Sequence, residues 1–146
     1  MAIDPSRLRR DLRGPRLAPE DGAVSRTRVI LGEIGENLAC DELQRRGYAI
    51  VARRYRRRGG EIDIVATDGP TVVFVEVKTR AGVEFGGGAD AITWTKRRRM
   101  TAIATDFLIR HGLAGRPCRF DVVAIGFDDD RPAIVVYTNA FNSTGG

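Results

Sequence analysis

The chain has 146 residues, 42% of them hydrophobic and 29% charged, with a net charge of +5 at neutral pH and a pI near 9.9. This is enough for one domain with a sizeable core, and nothing in it approaches the roughly 20 apolar residues of a membrane span. No charged-then-apolar leader pattern opens it, so we expect a cytoplasmic protein with no membrane partner, and its basic excess favours polyanions.

Residues 1–28 carry Pro5, Pro15, Pro19 and seven arginines without sustained periodicity, which reads as a disordered basic tail. The folded domain is expected over 29–141, followed by a flexible C-terminus at 142–146. Leu31, Ile34 and Leu38, with Gly35, Ala39 and Leu43 beside them, recur at helical spacing. They predict a helix from Val29 to Arg46, stopped by Gly47. Glu36 falls at the border of that stripe and Glu33 points further towards solvent. Glu42 lies inside the stripe, and the sequence offers no reason for it.

A first strand is expected from Tyr48 to Tyr55, rising into the cluster Arg53, Arg54, Arg56, Arg57 and Arg58. "EIDIVAT" and "TVVFVEVKT" supply the next two, rich in Val and Ile and separated by the turn signal Asp68-Gly69-Pro70. A Gly-rich loop runs from Arg80 to Asp90. The next helix spans Ile92 to Arg110, ends at Gly112 and buries Met100, Ile103, Ala104 and Phe107. Lys96 precedes Met100 by four residues and crowns that stripe. "CRFDVVAIGF" and "AIVVYTNAF" close the domain as strands, joined by an acidic turn at 128–130. The order of helix, three strands, helix and two strands implies an α/β sandwich around a mixed sheet.

Several residues call for a structural role only. Cys40 and Cys118 have no metal or redox spacing and read as small buried residues in a reducing compartment. His111 caps the second helix. Gly86, Gly87 and Gly88 lack any Walker or dinucleotide context. Trp94 is expected to anchor the start of the second helix in the core rather than to serve as a stacking platform.

Three charges do not fit buried strands. With the turn at Gly69-Pro70, residue numbers facing each other across the hairpin sum to 139. Asp63 then opposes Glu76, Glu61 opposes Lys78, and all four share a face with Val65 and Phe74. Like charges directly opposite repel. A divalent cation between them reverses the sign, and a small all-oxygen set suits Mg²⁺ or Mn²⁺. Lys78 would point into the same place, where an amine can orient an attacking water and stabilise charge on a phosphate. A solvated salt bridge on one strand face is the alternative for Glu76 and Lys78.

Composition sharpens the case for the lysines. The chain has 22 arginines and two lysines, Lys78 and Lys96. Against that bias, a lysine marks a position where a compact cation with a shiftable pKa is needed. The runs 53–58 and 96–99 suit either a solvated face or nucleic acid; two runs in one domain favour nucleic acid, with Arg57, Arg58, Arg80, Arg97 and Arg98 as candidate contacts.

Glu36 on the first helix, then Asp63, then Glu76-Val77-Lys78, resembles the PD-(D/E)xK nuclease superfamily. More narrowly, "GEIGENLA" (Gly32 to Ala39), "RRGGEIDIVA" (Arg57 to Ala66), "VFVEVKTR" (Val73 to Arg80) and "CRFDVVAI" (Cys118 to Ile125) resemble the YraN family of small, uncharacterised, nuclease-like bacterial proteins. The likeness spans Gly32 to Phe141 and excludes the basic tail. It implies a restriction-endonuclease-like fold related to archaeal Holliday-junction resolvases, and Mg²⁺-dependent DNA hydrolysis by metal-activated water, with structured DNA as one substrate. By the same resemblance Asp63, Glu76 and the carbonyl of Val77 would hold Mg²⁺, with Glu36 reaching the ion directly or through water. Lys78 would position the water, and Lys96 would contact the scissile phosphate or the site carboxylates. Asp121 would either join the site or form a structural salt bridge, and Glu61 would assist or, as we favour, pair with an arginine. A homodimer would suit an enzyme that cuts two strands, although no sequence feature requires one. The rival reading is a nucleic-acid-binding module whose carboxylates are structural, and an RNA substrate would need the same groups.

Overall fold

The alternation of apolar residues along five strands leaves both faces of a sheet to be covered, and two helices do so. The computed structural model describes residues 23–81, 92–128 and 131–141. Residues 1–22 of the expected tail, the Gly-rich segment with Gly86 to Gly88, turn residues 129–130 and the C-terminus 142–146 lie outside the described residues. The elements are α1 (Ala23–Arg45), β1 (Ala49–Arg57), β2 (Gly60–Asp68), β3 (Thr71–Ala81), α2 (Trp94–Arg110), β4 (Cys118–Asp128) and β5 (Arg131–Phe141). The strands form one sheet in the order β1-β2-β3-β4-β5. The β3–β4 pair is parallel and the others antiparallel, so α2 is the crossover. Among the described residues, no helix is long and apolar enough to cross a membrane.

The β2–β3 hairpin has the expected register, from Asp68↔Thr71 to Ile64↔Val75. Its two-residue loop fixes that register. Gly69 has φ +59, and Pro70 cannot take a positive φ, so a type II′ turn is the two-residue solution that remains.

Two cores result. On one face α2 lays Met100, Ile103, Ala104 and Phe107 against the sheet, as the sequence predicts. Phe107 meets Tyr55 and Phe74 edge-on at centroid distances of 5.1 and 5.8 Å. On the other face Ala39, Cys40 and Leu43 of α1 cover Ile64, Val73, Val75, Val123 and Ile125. Gly35 lets α1 approach β3 closely, since a Cβ there would stand 2.2 Å from Thr79 Oγ1.

Four expectations are corrected and one open position, Glu42, is explained. The first helix begins at Ala23, six residues before Val29, so the expected tail is helical from that point. Its burial starts only at Gly35: Val29, Ile30 and Ile34 are exposed. Glu42 is explained by ion pairs to Arg45 (2.8 Å) and Arg46 (3.5 Å) at the end of its own helix. Cys118 is exposed, because it opens β4 rather than lying within it. Trp94 is 61% exposed; it lies six residues before Met100, about 120° around the helix from the buried stripe.

Candidate active site

β2 and β3 stop pairing where the acids begin. The ladder ends at Ile64↔Val75, while β2 continues alongside β1 with Arg56↔Glu61. The carboxylate of Asp63 takes over the role of a backbone acceptor: Oδ2 receives the Val77 N–H at 2.8 Å. The opened strands leave a cleft of about 360 Å³ lined by Glu61, Asp63, Glu76, Lys96 and Arg99. A second cleft of about 580 Å³ lies alongside, with Lys78, Arg80, Leu31 and Gly32 in its wall. Glu76 and Lys96 line both. Lys96 Nζ is ion-paired to Glu76 Oε1, and this pair stands between the clefts.

The electrostatics follow from this crowding. Burial, then the charge of Glu76, holds the Asp63 carboxyl well above its ordinary value, and a side-chain hydrogen bond with Glu76 acts in the same direction. Lys78 is shifted down, first by burial and then by Arg80 and Lys96, against an opposing pull from Glu76. Its amine gives up a proton more readily than a free lysine does.

Glu36 is buried but engaged elsewhere. Its two oxygens accept from Arg53 Nε at 2.7 Å and Arg54 Nε at 3.1 Å, and it lines neither cleft. Consecutive strand residues normally point to opposite faces. Here a register shift between Ile50 and Ala52 and a left-handed Arg54, at φ +52, bring both guanidinium groups to one carboxylate. Nothing in the sequence signals that conformation.

The remaining candidates separate. Glu61 lines the first cleft and accepts from Arg56 Nε at 2.7 Å; its expected partner across the hairpin, Lys78, is out of register because β2 has left β3. Asp121 lies on the α1 face, where Tyr48, Arg119 and the Asn139 N–H surround it, and it lines neither cleft. Arg57 is bonded to Asp106 at 3.1 Å, and Arg97 packs over Phe141. Arg58 and Arg80 are exposed, and Arg98 lies over the Trp94 ring. His111 is the C-terminal cap of α2. Arg99 was not singled out by the sequence, although it follows Lys96 by three and so shares its helix face.

Among the described residues no group of three or more His, Cys, Asp or Glu side chains gathers at one point. The donor set is thus the Asp63–Glu76 pair. It fits Mg²⁺, which keeps most of its waters and takes one or two carboxylates, and the hydrogen bond between the two side chains holds them close enough to share an ion.

The family profile described as "Uncharacterised protein family UPF0102" matches residues 35–125. The chain belongs to the UPF0102 family. This is the YraN family of the sequence resemblance. A UPF0102 protein of Symbiobacterium thermophilum is 45% identical over 114 residues, which is 77% of this chain and 97% of that protein. A UPF0102 protein of Geobacter sulfurreducens is 46% identical over 121 residues, 82% and 94% of the two chains. The UPF0102 match takes in Glu36, Glu61, Asp63, Glu76, Lys78, Lys96 and Asp121, so every candidate acid and both lysines lie inside it.

Proposed function

We propose that this chain is a Mg²⁺-dependent nuclease, with Mn²⁺ able to substitute, that hydrolyses phosphodiester bonds in DNA, branched or otherwise structured DNA among its substrates. The observation that carries the reading is the pair Asp63 and Glu76, opened to a cleft between strands, with Lys96 in its wall and Lys78 in the wall of the adjoining cleft, the two lysines of an arginine-rich chain. Asp63 and Glu76, with the Val77 carbonyl, are the residues that would hold the ion, whose bound form supplies Lewis-acid polarisation of a phosphate and a more acidic water. Lys78, in the adjoining cleft, orients water against the phosphate and can exchange a proton, since its pKa is already lowered. Lys96, half exposed, neutralises phosphate oxygens. Arg80 and Arg99 line the clefts on either side and suit flanking phosphates.

The test is incubation of single-stranded, duplex, flapped and branched DNA with Mg²⁺ or Mn²⁺, beside Asp63→Ala and Lys78→Ala. Cleavage by the wild type that falls at least a hundredfold in both variants is expected. Intact substrates throughout would remove the enzymatic reading. One observation favours a second reading, a non-catalytic nucleic-acid-binding module: Glu36 is committed to Arg53 and Arg54. Such a module binds DNA with a steep salt dependence that neither EDTA nor Asp63→Ala alters.

A further inference from the structure

Two glycines stand one helical turn apart in α1, and the fold needs only one of them. A Cβ on Gly35 would collide with Thr79 Oγ1, so packing of α1 on β3 requires that glycine. Gly32 lies well inside the helix and has no positive φ. A Cβ on it would meet nothing within 4 Å among the described residues. Alanine is the more stable residue at such a position, because glycine loses more backbone freedom on folding. Gly32 therefore weakens the helix with no packing gained.

What Gly32 does touch is the second cleft, of about 580 Å³, whose wall it forms with Leu31. Since Gly32 has no side chain, the wall there is the bare backbone of α1. Lys78, Arg80 and Lys96 line the same space against one acid, Glu76, which Lys96 already engages. The cleft is thus cationic and selects an anion. Its volume suits one small ligand or one unit of a polymer. Leu31 supplies an apolar surface beside those cations. Cations, an apolar surface and an uncovered backbone together match a nucleotide, which carries charge on its phosphates and little on its sugar. Close approach of a ligand to the main chain is a reason for glycine that does not involve the fold.

We propose that the cleft beside Gly32 is a subsite for one nucleotide of a bound strand. Its sugar lies against the α1 backbone, and Lys78, Arg80 and Lys96 serve the phosphates on either side. The inference rests on the nucleic-acid reading of the site and adds the path of the strand: from the Asp63–Glu76 cleft, past Lys96, and along α1.

Gly32→Ala separates the two roles of the residue, since the helix gains by it and the ligand loses. The experiment titrates the full chain with end-labelled oligodeoxythymidylate, in EDTA to prevent chemistry, and reads anisotropy. Thermal midpoints are measured in parallel. We expect Gly32→Ala to raise the midpoint by about 1–4 °C and to weaken strand binding about fivefold or more. Gly32→Leu should weaken it further, up to about a hundredfold, the range that overfilling a close contact produces. Neither variant changes charge, so the slope of affinity against salt should stay that of the wild type. Ile34→Ala, exposed on the same helix and lining neither cleft, should bind within about twofold of the wild type.

A Gly32→Ala protein that melts higher and binds the strand with full affinity would overturn the subsite and leave the nucleic-acid reading standing. A lower midpoint would assign the glycine to a contact within the chain and would overturn it as well. Displacement of the strand by an equal concentration of thymidine 5′-monophosphate would make the cleft a site for free nucleotides, against the proposal. If the wild type does not bind the strand, the nucleic-acid reading itself is lost.

Discussion

The ammonium of Lys96 rests on Glu76, the same carboxylate that stands beside Asp63, and so occupies an oxygen that a divalent cation would need. Lys96 and the cation are competitors for that oxygen. Side-chain exposure is 47% for Lys96 and 7% for Glu76, so solvent screens the pair and its contribution falls near the exposed-pair range of about 0.2–1 kcal/mol. Lys96→Met should therefore tighten Mn²⁺ binding about two- to fivefold by calorimetry, while slowing DNA cleavage if the lysine also serves the phosphate. An unchanged or weaker Mn²⁺ affinity would mean that Lys96 holds the carboxylates in place instead of competing for them.

The raised pKa of Asp63 has a definite sign in stability. Because the folded protein keeps that proton to higher pH than the unfolded chain, its contribution is full below the unfolded value, near 3.8, and is lost as pH rises through the folded one. Asp63→Asn cannot ionise. In EDTA it should raise the thermal midpoint at neutral pH, with the gain fading towards pH 4. Saturating Mn²⁺ should reverse the ranking, stabilising the wild type and leaving the variant unmoved. A variant less stable than wild type at neutral pH in EDTA would show that burial and repulsion from Glu76 do not dominate at Asp63.

Gly35 sets how near α1 comes to β3. Alanine there gains about 0.5–1 kcal/mol in helix propensity, but its Cβ would meet Thr79 Oγ1 at 2.2 Å, an overpacking that typically costs 1–3 kcal/mol. Gly35→Ala should be destabilising, by up to about 2.5 kcal/mol in urea denaturation. Adding Thr79→Ala, which removes the opposing hydroxyl, should recover most of that loss. If the double variant is no more stable than Gly35→Ala alone, the tight contact is not what makes glycine necessary.

The sequence carries the fold where one local rule admits one answer. Gly69 followed by Pro70 restricts a two-residue turn to a single type, and with it the hairpin register and the neighbourhood of Asp63 and Glu76 become readable. The helical stripe of α2 likewise foretells Met100, Ile103, Ala104 and Phe107. What cannot be read depends on where a partner ends. Ile34 has the right spacing in α1, but the helix is not covered that far towards its N-terminus. Lys78 was expected opposite Glu61, yet β2 leaves β3 after Ile64 because a side chain, Asp63, replaces the backbone acceptor. The engagement of Glu36 depends on the left-handed conformation of Arg54, a non-glycine residue with no turn signal around it.

Asp121 separates architecture from chemistry. It is fully buried and accepts hydrogen bonds from Tyr48 Oη at 3.2 Å, Arg119 Nε at 3.1 Å and the Asn139 N–H at 2.8 Å. Arg119 also reaches Asp68 at the hairpin turn, so the cluster ties the residue that leads into β1 to β2, β4 and β5 on the α1 face. Removing one member of a buried charge pair strands the other, at a cost of about 3–5 kcal/mol. Asp121→Ala should lose stability on that scale, and Asp121→Asn, which keeps one acceptor oxygen, should lose less. Asp121 is on the opposite face from Glu76, so Asp121→Asn should bind Mn²⁺ with the wild-type constant while it remains folded. Weaker Mn²⁺ binding by folded Asp121→Asn would bring Asp121 into the site and show that the two faces of the sheet are coupled there.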